Sequence, residues 1–152
     1  MTSKRILVTK KTLGEDRHTV WNAFIELLVT TDYDELTPSQ RLARLTFLYD
    51  CEILNGGHLQ YFNNLRQATT VETIQFLDVL GGHAQALILD AALTRWNSAG
   101  RLRAADLREY SAIALEGEFD DLDAAYYDCP MQIADLLERY LAQHEADFIV
   151  RE

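Results

Sequence analysis

A chain of 152 residues, 48% hydrophobic and 25% charged, suits one globular domain and is too apolar for a disordered segment. Its net charge of −10 is carried by the end of the chain: residues 1–104 hold eleven Lys/Arg and eleven Asp/Glu, whereas residues 105–152 hold three and thirteen. A surface of that sign repels nucleic acid and anionic lipid, which argues against direct nucleic-acid or membrane-surface binding and favours a basic partner.

Only two prolines and seven glycines interrupt the chain, so long helices are expected. The start is basic, with Lys4, Arg5, Lys10 and Lys11. Residues 1–14 read as an irregular arm, because a strand over residues 5–9 would need a partner that no other segment advertises. The first helix is expected over residues 16–29, where Val20, Trp21, Phe24, Leu27 and Leu28 recur at helical spacing. A polar linker follows. Thr37, Pro38 and Gln40 then form the best helix-start signal in the chain, a capping box with proline in the first turn. That helix should end near Asn55, before Gly56-Gly57. Thr69 and Glu72 suggest a second capping box, opening a helix that Gly81-Gly82 closes near Leu80. Residues 83–97 carry apolar side chains nearly all round and are expected to form the central buried helix. Further helices are expected over residues 104–115, 119–127 and 130–148, the last with an inward stripe of Met131, Ile133, Leu136, Leu137, Tyr140 and Leu141. The fold class is therefore all-α, a single domain of six or seven helices over residues 1–152.

Chemistry-bearing motifs are sparse. Cys51 and Cys129 are far apart and outside any CxxC pair, so both are expected as free, buried thiols. The apolar run Ile6-Leu7-Val8 is too short for a signal-peptide core, and no segment reaches membrane-spanning length, so a cytoplasmic setting is the expectation. His18, His58, His83 and His144 show no metal-ligand spacing, and no nucleotide loop or nucleophile elbow is present. No cofactor, no metal and no catalytic group is expected. A Glu52–His58 acid–base pair and a meeting of His58 with His83 are the two arrangements that would favour an enzyme. The acidic run lacks the glycine and terminal glutamate of a calcium loop.

The most distinctive segment is Asn55-Gly56-Gly57-His58-Leu59-Gln60-Tyr61-Phe62-Asn63-Asn64. Read physically, it is a helix C-cap followed by an aromatic turn: the glycines allow a reversal, Tyr61 and Phe62 plug the core, and the amides satisfy helix ends. A polar pocket at this corner, serving a small molecule or peptide, is the functional alternative. Gly81-Gly82-His83 echoes Gly56-Gly57-His58 and reads as a second corner of similar kind.

With Glu52 before it, this segment resembles the signature of a bacterial family of unknown function named for a DNA-mimic protein. Glu52, Asn55, Gly56, Gly57, His58, Gln60, Tyr61, Phe62 and Asn63 match the pattern, and the resemblance extends over residues 21–140. It implies an all-helical fold. It also implies, for some members, a carboxylate surface that imitates DNA and blocks a DNA-binding protein such as a transcription regulator.

The candidate surface is acidic. Glu116, Glu118, Asp120, Asp121, Asp123 and Asp128 surround Phe119, Leu122 and Tyr126, which share one helical face and leave the aspartates to point outward. Acids at a helix start also suit its dipole and solubility, so two readings stand at these positions: a solvated helix start, or a contact for a basic, DNA-binding protein. A homodimer would lengthen such a surface.

Overall fold

The computed structural model describes residues 3–64, 67–99 and 104–152; Met1 and Thr2 of the expected arm lie outside them. The protein is all-α, with eight α-helices and one two-stranded parallel sheet among the described residues. The chain divides into two compact units, Met1–Arg44 with Ala134–Glu152, and Leu45–Ile133.

The first unit corrects the reading of the N-terminus. Ile6–Val8 is a strand, β1, and its partner is β2, Ile149–Arg151, at the other end of the chain. The register is parallel, Ile6 opposite Ile149 and Val8 opposite Arg151. Lys10–Glu15 follows as helix α1, with the Thr9 hydroxyl accepting from the Thr12 amide at 3.2 Å. Asp16 does not begin the next helix: its carboxylate accepts from the His18 amide at 2.8 Å and turns the chain, and α2 is Thr19–Thr30. Ala23, Phe24, Leu27 and Leu28 form its buried stripe, and Phe24 meets Phe148 edge-on at 4.9 Å. The capping box is present in both directions. The Thr37 amide donates to Gln40 Oε1 at 3.0 Å, and the Gln40 amide donates to Thr37 Oγ1 at 3.3 Å. The last helix, α8, is shorter than the stripe suggests, Ile133–His144; a 3₁₀ turn at Glu145–Asp147 then leads into β2.

Helix α3, Pro38–Asn64, runs from the first unit into the second and bends at Gly57 rather than ending at Asn55. In the second unit α4, Gln67–Val79, and α5, His83–Ser98, pack together. Thr69 lies inside α4 and accepts on its carbonyl from the Thr73 hydroxyl at 2.6 Å, so it is not the N-cap. Gly81, at φ +85°, closes α4: its amide bonds Asp78 O at 3.0 Å and the Gly82 amide bonds Leu77 O at 2.8 Å. These are the two bonds of a Schellman ending. Along α5 the side chains of Gln85, Ala86, Leu89, Ala92, Leu93 and Trp96 are buried, whereas Leu87 is 72% exposed, so this helix buries one face and shows the other to solvent. Helices α6, Leu107–Ala114, and α7, Asp120–Tyr127, complete the unit. Asp106 caps α6 by accepting from the Glu109 amide at 2.8 Å. Cys129 is buried as expected, but Cys51 is exposed on α3; both are free thiols. No helix among the described residues is long and apolar enough to cross a membrane.

Candidate functional site

The glycine corner is built around one buried histidine. Gly57 sits at φ +72°, ψ −170°, a backbone region that residues with a Cβ avoid. This interrupts the helical bonding of α3 and leaves the His58 amide in need of an acceptor. Asp123, in the first turn of α7, supplies it: its Oδ1 accepts from the His58 amide at 2.9 Å and lies 2.6 Å from His58 Nδ1. The other ring nitrogen, Nε2, is 2.9 Å from the Tyr49 hydroxyl. Burial pushes the Tyr49 hydroxyl well above its ordinary range, so it keeps its proton and donates to Nε2. Nδ1 is then the donor to Asp123, and every polar atom of the ring is satisfied in one tautomer.

Aromatic rings enclose this chain of bonds. Tyr49 meets Tyr61 edge-on at 5.1 Å and Tyr126 at 5.6 Å, while Phe62 stacks on Trp96 at 5.1 Å. The Tyr126 hydroxyl donates to Asp50, and burial holds both groups above their ordinary ranges. His58, Tyr61 and Phe62 therefore fill the core instead of lining a ligand pocket. Glu52 takes no part in an acid–base pair with His58. Its Oε2 accepts from Gln60 Nε2 at 2.8 Å and from Asn64 Nδ2 at 2.9 Å, tying together the two halves of α3. Asn63 bonds Leu59 O and accepts from the Ala104 amide at 2.7 Å, which fixes the approach to α6. Asn55, Gln60 and Asn64 line an open groove. His83, the histidine of the second corner, is exposed and bonds Asp78 at 2.8 Å, so the two histidines have separate partners.

The acidic positions divide by role. Asp123 does not point outward: its side chain is 28% exposed and committed to His58. Asp121 forms a two-pronged pair with Arg95 of α5 at 2.6 and 3.0 Å, and that guanidinium lowers its carboxyl. Arg95 also donates to the Glu118 carbonyl at 2.7 Å, anchoring the start of α7. Glu116, Asp120 and Asp128 are exposed, and Glu118 is half-buried. No cluster of three or more His, Cys, Asp or Glu side chains suited to a metal occurs among the described residues.

Sequence reasoning places Tyr126 on the inward face of its helix, and the structure buries it; it misses the hydrogen bonds that Tyr49, Asp50, Arg95 and Tyr126 make, together with the structural role of Asp123. Only the glycine before His58 hinted at an orphaned amide, and nothing local points to an acceptor so far along the chain.

The site thus defines a helical domain held by a motif-bearing corner and flanked by acidic side chains. The family model described as DMP19-like protein matches residues 34–144, and the chain belongs to this family. The match includes the whole Asn55–Asn63 corner and every one of the candidate acidic positions. No curated protein and no solved structure matches the chain.

Proposed function

We propose that the protein is a non-catalytic binding domain that presents carboxylates to the basic face of a DNA-binding protein and competes there with DNA. The observation that carries this reading is the concentration of the entire −10 surplus in residues 105–152 of a DMP19-like chain. In the second unit Glu116, Asp120 and Asp128 are exposed, and the Asp121 side chain is 66% exposed beside Arg95. These four, with Glu118, are the phosphate substitutes; Asp123 belongs to the fold. Electrostatic steering by such a surface makes association fast and sensitive to salt.

Two observations support a non-catalytic role for the corner. The Tyr49, His58 and Asp123 chain resembles a relay of hydroxyl, imidazole and carboxylate, but Tyr49 and His58 are both 0% exposed, so no substrate reaches the hydroxyl. Glu52, Gln60, Asn63 and Asn64 are occupied by bonds within and between helices.

The test is retention of partners from host lysate on immobilised protein, with elution by salt and by duplex DNA. The comparison is a variant carrying Glu116→Gln, Asp120→Asn and Asp128→Asn, with Asp123 left intact. A DNA-binding protein that is retained by the wild type, displaced by duplex and lost in the variant is the expected result. Retention that ignores the charges, the salt and the duplex overturns the proposal and leaves these acids as a solvated surface.

A further inference from the structure

A cleft of about 210 Å³ lies in the second unit between the Gly56 end of the corner, α6 and the start of α7. Leu59, Ile113 and Phe119 are among its lining residues and supply an apolar part of its wall. Asp120 and Asp123 line it from α7, and Tyr110 lines it from α6. We infer that this cleft receives one arginine side chain from a basic segment of a partner protein, the aliphatic stem against the apolar lining and the guanidinium between the Asp120 carboxylate and the Tyr110 ring.

Three features select that occupant. The volume is below the range of roughly 300–1,000 Å³ usual for small-molecule sites, which fits a single side chain better than a free ligand. Apolar side chains and carboxylates in one wall match a side chain whose stem is apolar and whose tip is cationic. The carboxylates of Asp120 and Asp123 line the cleft and make its potential negative, and Asp123 and Glu52 add to burial in pushing the Tyr110 hydroxyl upward. A guanidinium can bond a carboxylate with two donors and also stack on an aromatic ring, which an ammonium cannot do.

This inference rests on the proposed function and adds a specific seat to it. The experiment is titration of a fluorescein-labelled hexa-arginine peptide, followed by anisotropy, with hexa-citrulline as the uncharged control of the same shape. Two variants separate the cleft from the general charge. Ala114→Phe, at an exposed position on the cleft wall, blocks it without altering the net charge. Glu116→Gln with Asp128→Asn removes charge outside it. Hexa-arginine binding that falls by about tenfold in Ala114→Phe, in keeping with loss of a charge-assisted bond, and no binding of hexa-citrulline, is the expected result. Wild-type affinity in Ala114→Phe overturns the cleft. If the charge variant alone weakens, the acidic-surface reading survives that failure; if neither variant weakens, both fall. Should Ala114→Phe fail to fold, the Ile113 methyl and Tyr110 ring signals of the wild type decide: shifts with hexa-arginine and none with hexa-citrulline uphold the cleft, and signals unmoved by hexa-arginine overturn it.

Discussion

Asp123 Oδ1 accepts from two atoms of one residue, the backbone amide of His58 at 2.9 Å and its ring Nδ1 at 2.6 Å. One carboxylate from α7 therefore caps the second half of α3 and fixes the tautomer of a fully buried imidazole. Removing it leaves both donors of the buried His58 without their acceptor. Asp123→Ala is expected to destabilise the protein by about 2–4 kcal/mol, and Asp123→Asn, which keeps an acceptor oxygen, by less. Urea unfolding checks this. Equal and negligible losses in both variants would mean that the pair adds nothing to the fold.

The two positive-φ glycines at the Gly-Gly corners make a matched comparison. Gly81 has φ +85° and nothing within 4 Å of a built Cβ, so Gly81→Ala carries backbone strain alone, about 1–2 kcal/mol. Gly57 has φ +72° with ψ near −170°, and its Cβ would stand 2.3 Å from Asp123 Oδ2. Gly57→Ala combines a backbone region open almost only to glycine with a clash against the carboxylate that holds His58. It is expected to cost about 3 kcal/mol or more. The order of the two thermal midpoints is the measurement, with Gly57→Ala the lower.

Much of the local structure was legible because its causes are local. The Thr37–Gln40 box, the Gly81-Gly82 ending and the apolar stripes of α2 and α8 each depend on residues within one or two turns. Other features depend on remote segments. Residues 5–9 looked like an unpartnered strand because the partner is the last turn of sequence, hidden behind an apparently longer helix. Thr69 and Glu72 had capping-box spacing, yet α4 already includes Thr69. Asp123 sat among acids that suit a helix start, and its side chain was assigned to solvent by its neighbours. Its actual partner lies 65 residues earlier, where the broken helix at Gly57 exposes an amide. The motif was thus legible as a corner, while the residue that completes it was not.

Gln40 ties both ends of the first unit to α3. Besides its part in the capping box, its fully buried Nε2 donates to Lys4 O and to Asp147 O, each at 2.8 Å. Gln40→Ala orphans two carbonyls and one amide and is expected to cost about 2–4 kcal/mol. Gln40→Glu puts a carboxylate against those carbonyls and should be worse than alanine at neutral pH. Acidification restores a proton that can be donated, so this variant should regain stability relative to alanine as the pH falls. Denaturant midpoints at pH 7 and pH 4 test that crossing behaviour; a constant difference between the two variants would contradict the assigned bonds.

Asp50 gives a second pH-dependent effect. Burial raises its carboxyl above the ordinary carboxylate range, outweighing the hydrogen bond from Tyr126 that lowers it. A folded-state value above the unfolded one means that the folded protein holds the proton more tightly. The resulting stability is fully present below the unfolded value and is lost as the pH rises through the folded value. At neutral pH the wild type therefore carries the unfavourable charge of a partly buried carboxylate. Asp50→Asn keeps an oxygen to accept from Tyr126 and removes that charge. Its stability relative to the wild type is expected to rise from pH 3 to neutrality and then level off, as read from urea midpoints across the series. A relative stability that falls over the same range would show that the Tyr126 hydrogen bond, and not burial, governs Asp50.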